Sequence, residues 1–199
     1  MEKMNWKLKD ILMIAICAVL FGIIYLGCTY AGGFLGAMLT PLGMTSLGYE
    51  PFYGIYFMAA AFAVYVMRKP GTGVVAEVLA AIIECLMGNM FGPKIILSGI
   101  IQGAGFELII FLTRYRRFDR KTMMLGGVIC SCVTMVYNLI ISGYSKIALP
   151  VLGLMLAVRI VSAVLFDGIL VPVLGDGLAR AGVLSGYAIA EGSSDTLDD

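Results

Sequence analysis

Glu84 interrupts the apolar run from Thr72 to Phe91, and Gln102, Asn138 and Arg159 interrupt three other apolar runs. A polar or ionisable side chain in hydrocarbon is costly, usually faces the interior of a helix bundle, and marks a functional site by default. Counting ~1.5 Å per residue from the outer end of each run puts Asn138 roughly 6 Å deep, Glu84 roughly 9 Å, Arg159 roughly 12 Å and Gln102 roughly 13 Å. The four residues come from four different helices, so only a bundle that points them inward satisfies them. A desolvated carboxylate attracts a cation and accepts from an amine through a charge-assisted bond. Two amides beside it can orient a ring edge. Tyr53, Tyr56, Phe57 and Tyr137 fall at a similar depth and offer faces on which a flat ring stacks, with phenols as polar handles. Apolar walls with a few placed polar groups are what a small-molecule site requires. Two plainer readings stay open: Glu84 neutralising Arg159 as a structural ion pair, and each aromatic serving as packing.

The elements that must position these groups follow from composition. With 60% hydrophobic and 14% charged residues and a mean hydropathy of +0.96, the chain is far more apolar than a soluble domain. The apolar runs are continuous, without the alternation of barrel strands, so the spanning elements are helices. Six stretches approach the ~20 residues a helix needs to cross a bilayer: about 11–30, 52–67, 72–91, 93–113, 122–142 and 150–174. Cations sort by side. Lys3, Lys7, Lys9, Arg68, Lys69, Arg114, Arg116, Arg117, Arg120, Lys121 and Arg180 fall on one side, and Lys94 and Lys146 on the other. The expected fold is an all-α integral membrane protein of six transmembrane helices with both termini cytoplasmic. One membrane domain covers 1–190, and 191–199 forms an acidic cytoplasmic tail.

Several functions are disfavoured. There is no Gly-x4-Gly-Lys-Ser/Thr phosphate loop, and no histidine, the commonest general base and metal ligand. No catalytic constellation, cofactor or nucleic-acid partner is indicated. The five cysteines lie in or beside apolar spans and read as small hydrophobic residues. Glu77, Glu107 and Asp167 lie deeper, roughly 19–24 Å from the outer side. They are expected to snorkel towards the cytoplasm or pair with the Arg-rich segment after the fourth span. Glu77 nevertheless shares a helical face with Glu84, seven residues on. The glycine-rich stretch from Ala31 to Glu50 is expected to be a long outer loop, either a slack connection or a lid.

The order of several short motifs adds a resemblance. These are Trp6-Lys7-Leu8-Lys9, Gly48-Tyr49-Glu50-Pro51, Arg68-Lys69-Pro70, Gly88-Asn89 with Gly92-Pro93, Gln102-Gly103 and Thr113-Arg114-Tyr115. Over roughly residues 5 to 187 the chain resembles the YkoE-type substrate-binding subunits, or S components, of energy-coupling factor vitamin transporters. The resemblance implies a multi-pass protein of the bacterial cell membrane. It would capture thiamin or its hydroxymethylpyrimidine moiety near the outer surface. Its partners would be a transmembrane coupling protein and two cytoplasmic ATPases. For such a ligand Glu84 is the first choice of cation partner, with Gln102 and Asn138 on the pyrimidine edge. Tyr53, Tyr56 and Tyr137 would stack, and Glu50 would close the mouth from the loop. Arg159 belongs to the same set, but beside a cationic vitamin its guanidinium needs an acid, Glu84 or Glu107. S components commonly dock through small residues on the first helix, here Ala15, Ala18 and Gly22. A self-sufficient secondary carrier is the alternative, although no inverted repeat is evident.

Overall fold

The computed structural model describes residues 6–190; the expected acidic tail lies outside them. Every regular element among the described residues is helical. Helix α1 runs Leu8–Leu39, ~48 Å at ~1.5 Å per residue, longer than a bilayer core demands. The stretch expected to be an outer loop is thus helical to Leu39. It continues as a short 3₁₀ turn, Thr40–Leu42, and a 3₁₀ segment, Thr45–Phe52. The glycines explain the difference. Gly32 and Gly36 lie one turn apart on α1, and the backbone of Gly48 rests on the bare face they leave. A Cβ at Gly48 would run into the backbone of both. These glycines serve close approach rather than slack.

The second apolar stretch is broken in two, α2 (Tyr53–Tyr56) and α3 (Met58–Met67), with Phe57 between them. All ten residues of α3 are buried, which puts this short helix at the centre of the bundle. Helix α4 (Thr72–Leu86) ends earlier than its apolar run because Gly88 and Gly92, at φ +96° and +62°, turn the chain into α5 (Lys94–Leu112). Helix α6 (Arg120–Ile141) follows. After a 3₁₀ turn at Tyr144–Lys146 comes a rod made of α7 (Leu149–Ala163), a π-helical stretch (Val164–Leu170) and α8 (Val171–Arg180).

Among the described residues five stretches are long and apolar enough to cross a membrane: Leu8–Leu42, Thr45–Met67, Lys94–Leu112, Arg120–Ile141 and Leu149–Arg180. Helix α4, at 15 residues or ~22 Å, falls short of that length.

Small residues set the packing that matters for function. Gly22 of α1 lies against Ala80 and Ile83 of α4, while Gly99 and Gly103 of α5 lie against Ala81 and Val74. This corrects the expectation for the first helix. Ala18 and Gly22 are buried against the chain's own bundle, and of the three residues expected to dock a partner only Ala15 is exposed. Close helix contact is what small residues permit; here it brings α1 and α5 up to α4, the helix that carries Glu77 and Glu84 on one face.

Candidate functional site

A cavity of about 400 Å³ opens between the C-terminal half of α1, the 3₁₀ segment, the α4–α5 turn and the C-terminal end of α6. That volume is within the range of small-molecule sites. Six residues singled out from sequence line it: Glu84, Gln102, Asn138, Tyr53, Tyr56 and Tyr137.

Glu84, 4% exposed, accepts from Thr29 Oγ1 at 2.8 Å and from the side-chain amide of Asn89. Since the Thr29 hydroxyl donates to Glu84, the Tyr56 phenol 3.0 Å away donates to Thr29. Asn89 in turn accepts the backbone N–H of Phe91 at 2.7 Å, tying the α4–α5 turn to the carboxylate. Tyr53 and Tyr56 meet edge to face, with ring centres 5.9 Å apart, and form one wall. Asn138 donates to the Tyr53 hydroxyl at 2.5 Å and accepts from Ser142 at 3.1 Å. At the mouth Tyr49 meets Phe91 at 5.5 Å, beside the exposed Lys94. The Tyr144 phenol stays neutral, because burial pushes its pKa up and Tyr53 and Glu50 add to the shift.

Glu77 is fully buried yet lines the cavity floor. Its Oε2 accepts from Tyr25 OH and from the Ala60 N–H, both at 3.0 Å. Phe57 breaks the second stretch, so Ala60 lies in the first turn of α3, where N–H groups lack intrahelical acceptors and the helix dipole favours a negative charge. Gln102 completes the floor. The orientation that satisfies its amide has Nε2 donating to Glu77 Oε1 at 3.1 Å and to the Tyr56 carbonyl at 3.2 Å, while its oxygen accepts from Ser98 at 2.9 Å.

The structure departs from expectation at the buried charges. Arg159 pairs with neither Glu84 nor Glu107 but with Glu50, Nε to Oε2 at 2.7 Å and Nη2 to Oε1 at 2.8 Å, both residues fully buried. Its remaining nitrogen, Nη1, donates to Thr134 at 3.1 Å. Glu50 does not close the mouth, because the 3₁₀ segment carries it into the bundle. The guanidinium lies 3.5 Å from the Tyr53 ring centre, and neither Arg159 nor Glu50 lines the cavity. The pair therefore backs the aromatic wall and delivers no net charge to the site. Nor do the deeper acids reach the cytoplasm. Glu107 accepts from the backbone N–H groups of Gly71 and Val74, capping α4, and from Tyr115 OH at 2.6 Å. Asp167, in the π-helical stretch, is fully buried with neither oxygen hydrogen-bonded.

Thr29, Asn89, Tyr25 and Tyr49 escaped the sequence reading as site residues. Asn89 had a signal in the Gly88-Asn89 motif, and Glu77 in its seven-residue spacing from Glu84. Thr29 and Tyr25 carried none, being ordinary residues of a spanning helix.

Comparisons with known proteins agree with this architecture. Residues 9–133 match a family described as the ABC-type cobalt transport system, permease component. A Bacillus subtilis (strain 168) protein named as an HMP/thiamine permease, YkoE, is 37% identical over 187 residues, covering 94% of this chain and 92% of its own. A crystal structure of an S component of an ECF transporter superposes with a TM-score of 0.91 at 36% identity, over 98% of this chain and 96% of that one. The chain belongs to the YkoE-type family of substrate-binding S components of energy-coupling factor transporters, and is a multi-pass protein of the cell membrane rather than an enzyme.

Proposed function

We propose that this S component captures thiamin, or its hydroxymethylpyrimidine moiety, from the outer side. It then delivers the ligand inwards with a transmembrane coupling protein and two cytoplasmic ATPases. In this reading α4 is the sixth crossing and both termini are cytoplasmic.

The carrying observation is Glu84, a carboxylate beneath an aromatic mouth with donors on it and no ion-pair partner among the described residues. Thiamin brings a fixed positive charge and an aminopyrimidine. A desolvated carboxylate attracts the first, and aromatic faces add cation–π attraction of ~0.5–2 kcal/mol. The HMP/thiamine name of the Bacillus relative supports this ligand class. Cobalt, named in the description of the matching family, suits the donor set less well. Among the described residues no group of three or more His, Cys, Asp or Glu side chains converges as a metal site.

Titration calorimetry on the purified chain in micelles tests the reading. Thiamin should bind, and Glu84→Ala should weaken binding more than tenfold. Unchanged affinity in that variant would remove Glu84 from the site, and no binding of either ligand by the wild-type chain would remove the vitamin.

A further inference from the structure

At the end of the bundle opposite the cavity mouth, the α3–α4 turn meets the loop between α5 and α6. Glu107 ties the two together, accepting from the Gly71 N–H and from Tyr115 OH. The Arg68 guanidinium lies 5.4 Å from the Phe118 ring centre. Trp6, just before α1, reaches the same place: a Cβ at Gly71 would sit 3.8 Å from its indole.

Three observations set this place apart. Its cations are outnumbered by no acid: Arg114, Arg116, Arg117, Arg120 and Lys121 are all exposed, and among the described residues the only ion pairs are Arg159 with Glu50 and Lys69 with Asp10. Asp119, the one acid in that run, is occupied by the Thr122 hydroxyl at 2.7 Å. Donors also point inwards without acceptors. Arg68 Nε and Trp6 Nε1 are buried, and neither has a hydrogen-bond partner among the described residues, although buried polar groups are ordinarily paired. Finally, the non-glycine residues with a left-handed backbone among the described residues are Arg68, Arg114 and Tyr115, at φ +52°, +53° and +55°. Arg68 and Arg114 sit just past the ends of α3 and α5, where glycine is the residue of lowest conformational cost. Each therefore holds a guanidinium in place against backbone strain.

A group with net negative charge and several acceptor oxygens satisfies all three. Exposed Phe111 and Leu112 end α5, so the loop that follows stands at the level of the lipid headgroups. A phosphate diester accepts charge-assisted bonds from guanidinium groups, and clustered cations beside a spanning helix attract anionic lipid. The acyl chains of such a lipid would lie along the apolar end of α5.

We propose that the α3–α4 turn and the α5–α6 loop form a binding site for the phosphate of an anionic phospholipid, with Arg68 and Trp6 as its inner donors and Arg114, Arg116 and Arg117 as flanking cations. None of these residues lines the cavity, and the proposal is independent of the thiamin reading.

Trp6 is the only tryptophan of the chain, so intrinsic fluorescence reads the site. The purified chain in dodecyl maltoside is titrated with phosphatidylglycerol, with phosphatidylcholine and with inorganic phosphate. Phosphatidylglycerol should change the Trp6 emission saturably and at least tenfold more tightly than phosphatidylcholine, and inorganic phosphate should leave it unchanged. Arg68→Lys keeps the charge but loses the Nε donor and the planar fork, and should weaken phosphatidylglycerol binding about fivefold or more. Replacing Arg116 and Arg117 together by Gln should weaken it more than tenfold, since each such cation contributes roughly fivefold. Lys146→Gln, at the other end of the bundle, is the control and should match the wild type. The lipid comparison needs no variant to fold, and an equal response to both lipids overturns the proposal. A response to inorganic phosphate as tight as that to phosphatidylglycerol makes this a site for a soluble anion and overturns the lipid assignment. Wild-type affinity in Arg68→Lys reduces the site to diffuse surface charge and overturns it too. Silence towards phosphatidylglycerol leaves the cluster to an acidic protein surface, and the lipid site falls.

Discussion

A guanidinium behind the wall of a cation site poses a problem at the scale of single residues, and Glu50 answers it. The two-point pair places a full negative charge against Arg159, and Thr134 takes the nitrogen left over. Removing one partner of a buried pair strands the other charge, at a cost of about 3–5 kcal/mol, whereas replacing both with apolar residues is often close to neutral. Arg159→Met and Glu50→Met should therefore each lower the thermal unfolding temperature of the purified chain sharply. The double variant should recover most of the loss; a double variant as unstable as the singles would mean that the pair is needed for more than mutual neutralisation. That Arg159 required an acid was legible in the sequence, but the identity of the acid was not. Glu50 lay in a stretch that composition marked as an outer loop, and only a 3₁₀ segment folded onto α1 carries it to the depth of Arg159.

At the scale of elements, hydropathy made the helices legible, but not their ends. An apolar run measures how long a segment can remain in lipid. Where its helix stops depends on what its backbone groups meet next. Thus α4 stops at a glycine turn that Asn89 ties to Glu84, and Phe57 breaks the second stretch at the point where Glu77 and Tyr25 wait for the freed N–H groups of Ala60 and Ala59. Glycine carried the most ambiguous signal, since the same residue makes a slack loop or a close contact. Gly48 decides between these by experiment. A methyl group there meets the backbone of Gly32 and Gly36, and overpacking of this kind costs about 1–3 kcal/mol. Gly48→Ala should lower the unfolding temperature and, by shifting Tyr49 at the mouth, speed thiamin dissociation in stopped-flow measurements. Gly27, around which a Cβ would find open space, is the control, and Gly27→Ala should leave both unchanged. Equal behaviour of the two variants would mean that the 3₁₀ segment is not seated on α1.

For the whole molecule, the cavity is useful for uptake only if its mouth faces outwards, and two independent features bear on that orientation. One is the division of cations: Arg68, Lys69, the Arg114–Lys121 group and Arg180 cluster at one end, against Lys94 and Lys146 at the other, and the cation-rich end is retained in the cytoplasm. The other is the position of the mouth, which lies at the Lys94 end. The helix count does not settle the matter, because α4 is too short to register as a crossing by length alone, and with five crossings instead of six the two termini would lie on opposite sides. Labelling resolves this. In a chain whose five native cysteines are replaced by alanine, Ser145→Cys and Ser185→Cys each put one exposed thiol at opposite ends of the bundle. A membrane-impermeant maleimide applied to intact cells should label Ser145→Cys and should reach Ser185→Cys only after the membrane is opened. Labelling of Ser185→Cys in intact cells would turn the cavity towards the cytoplasm or remove α4 as a crossing, and capture from the outside would fall with it.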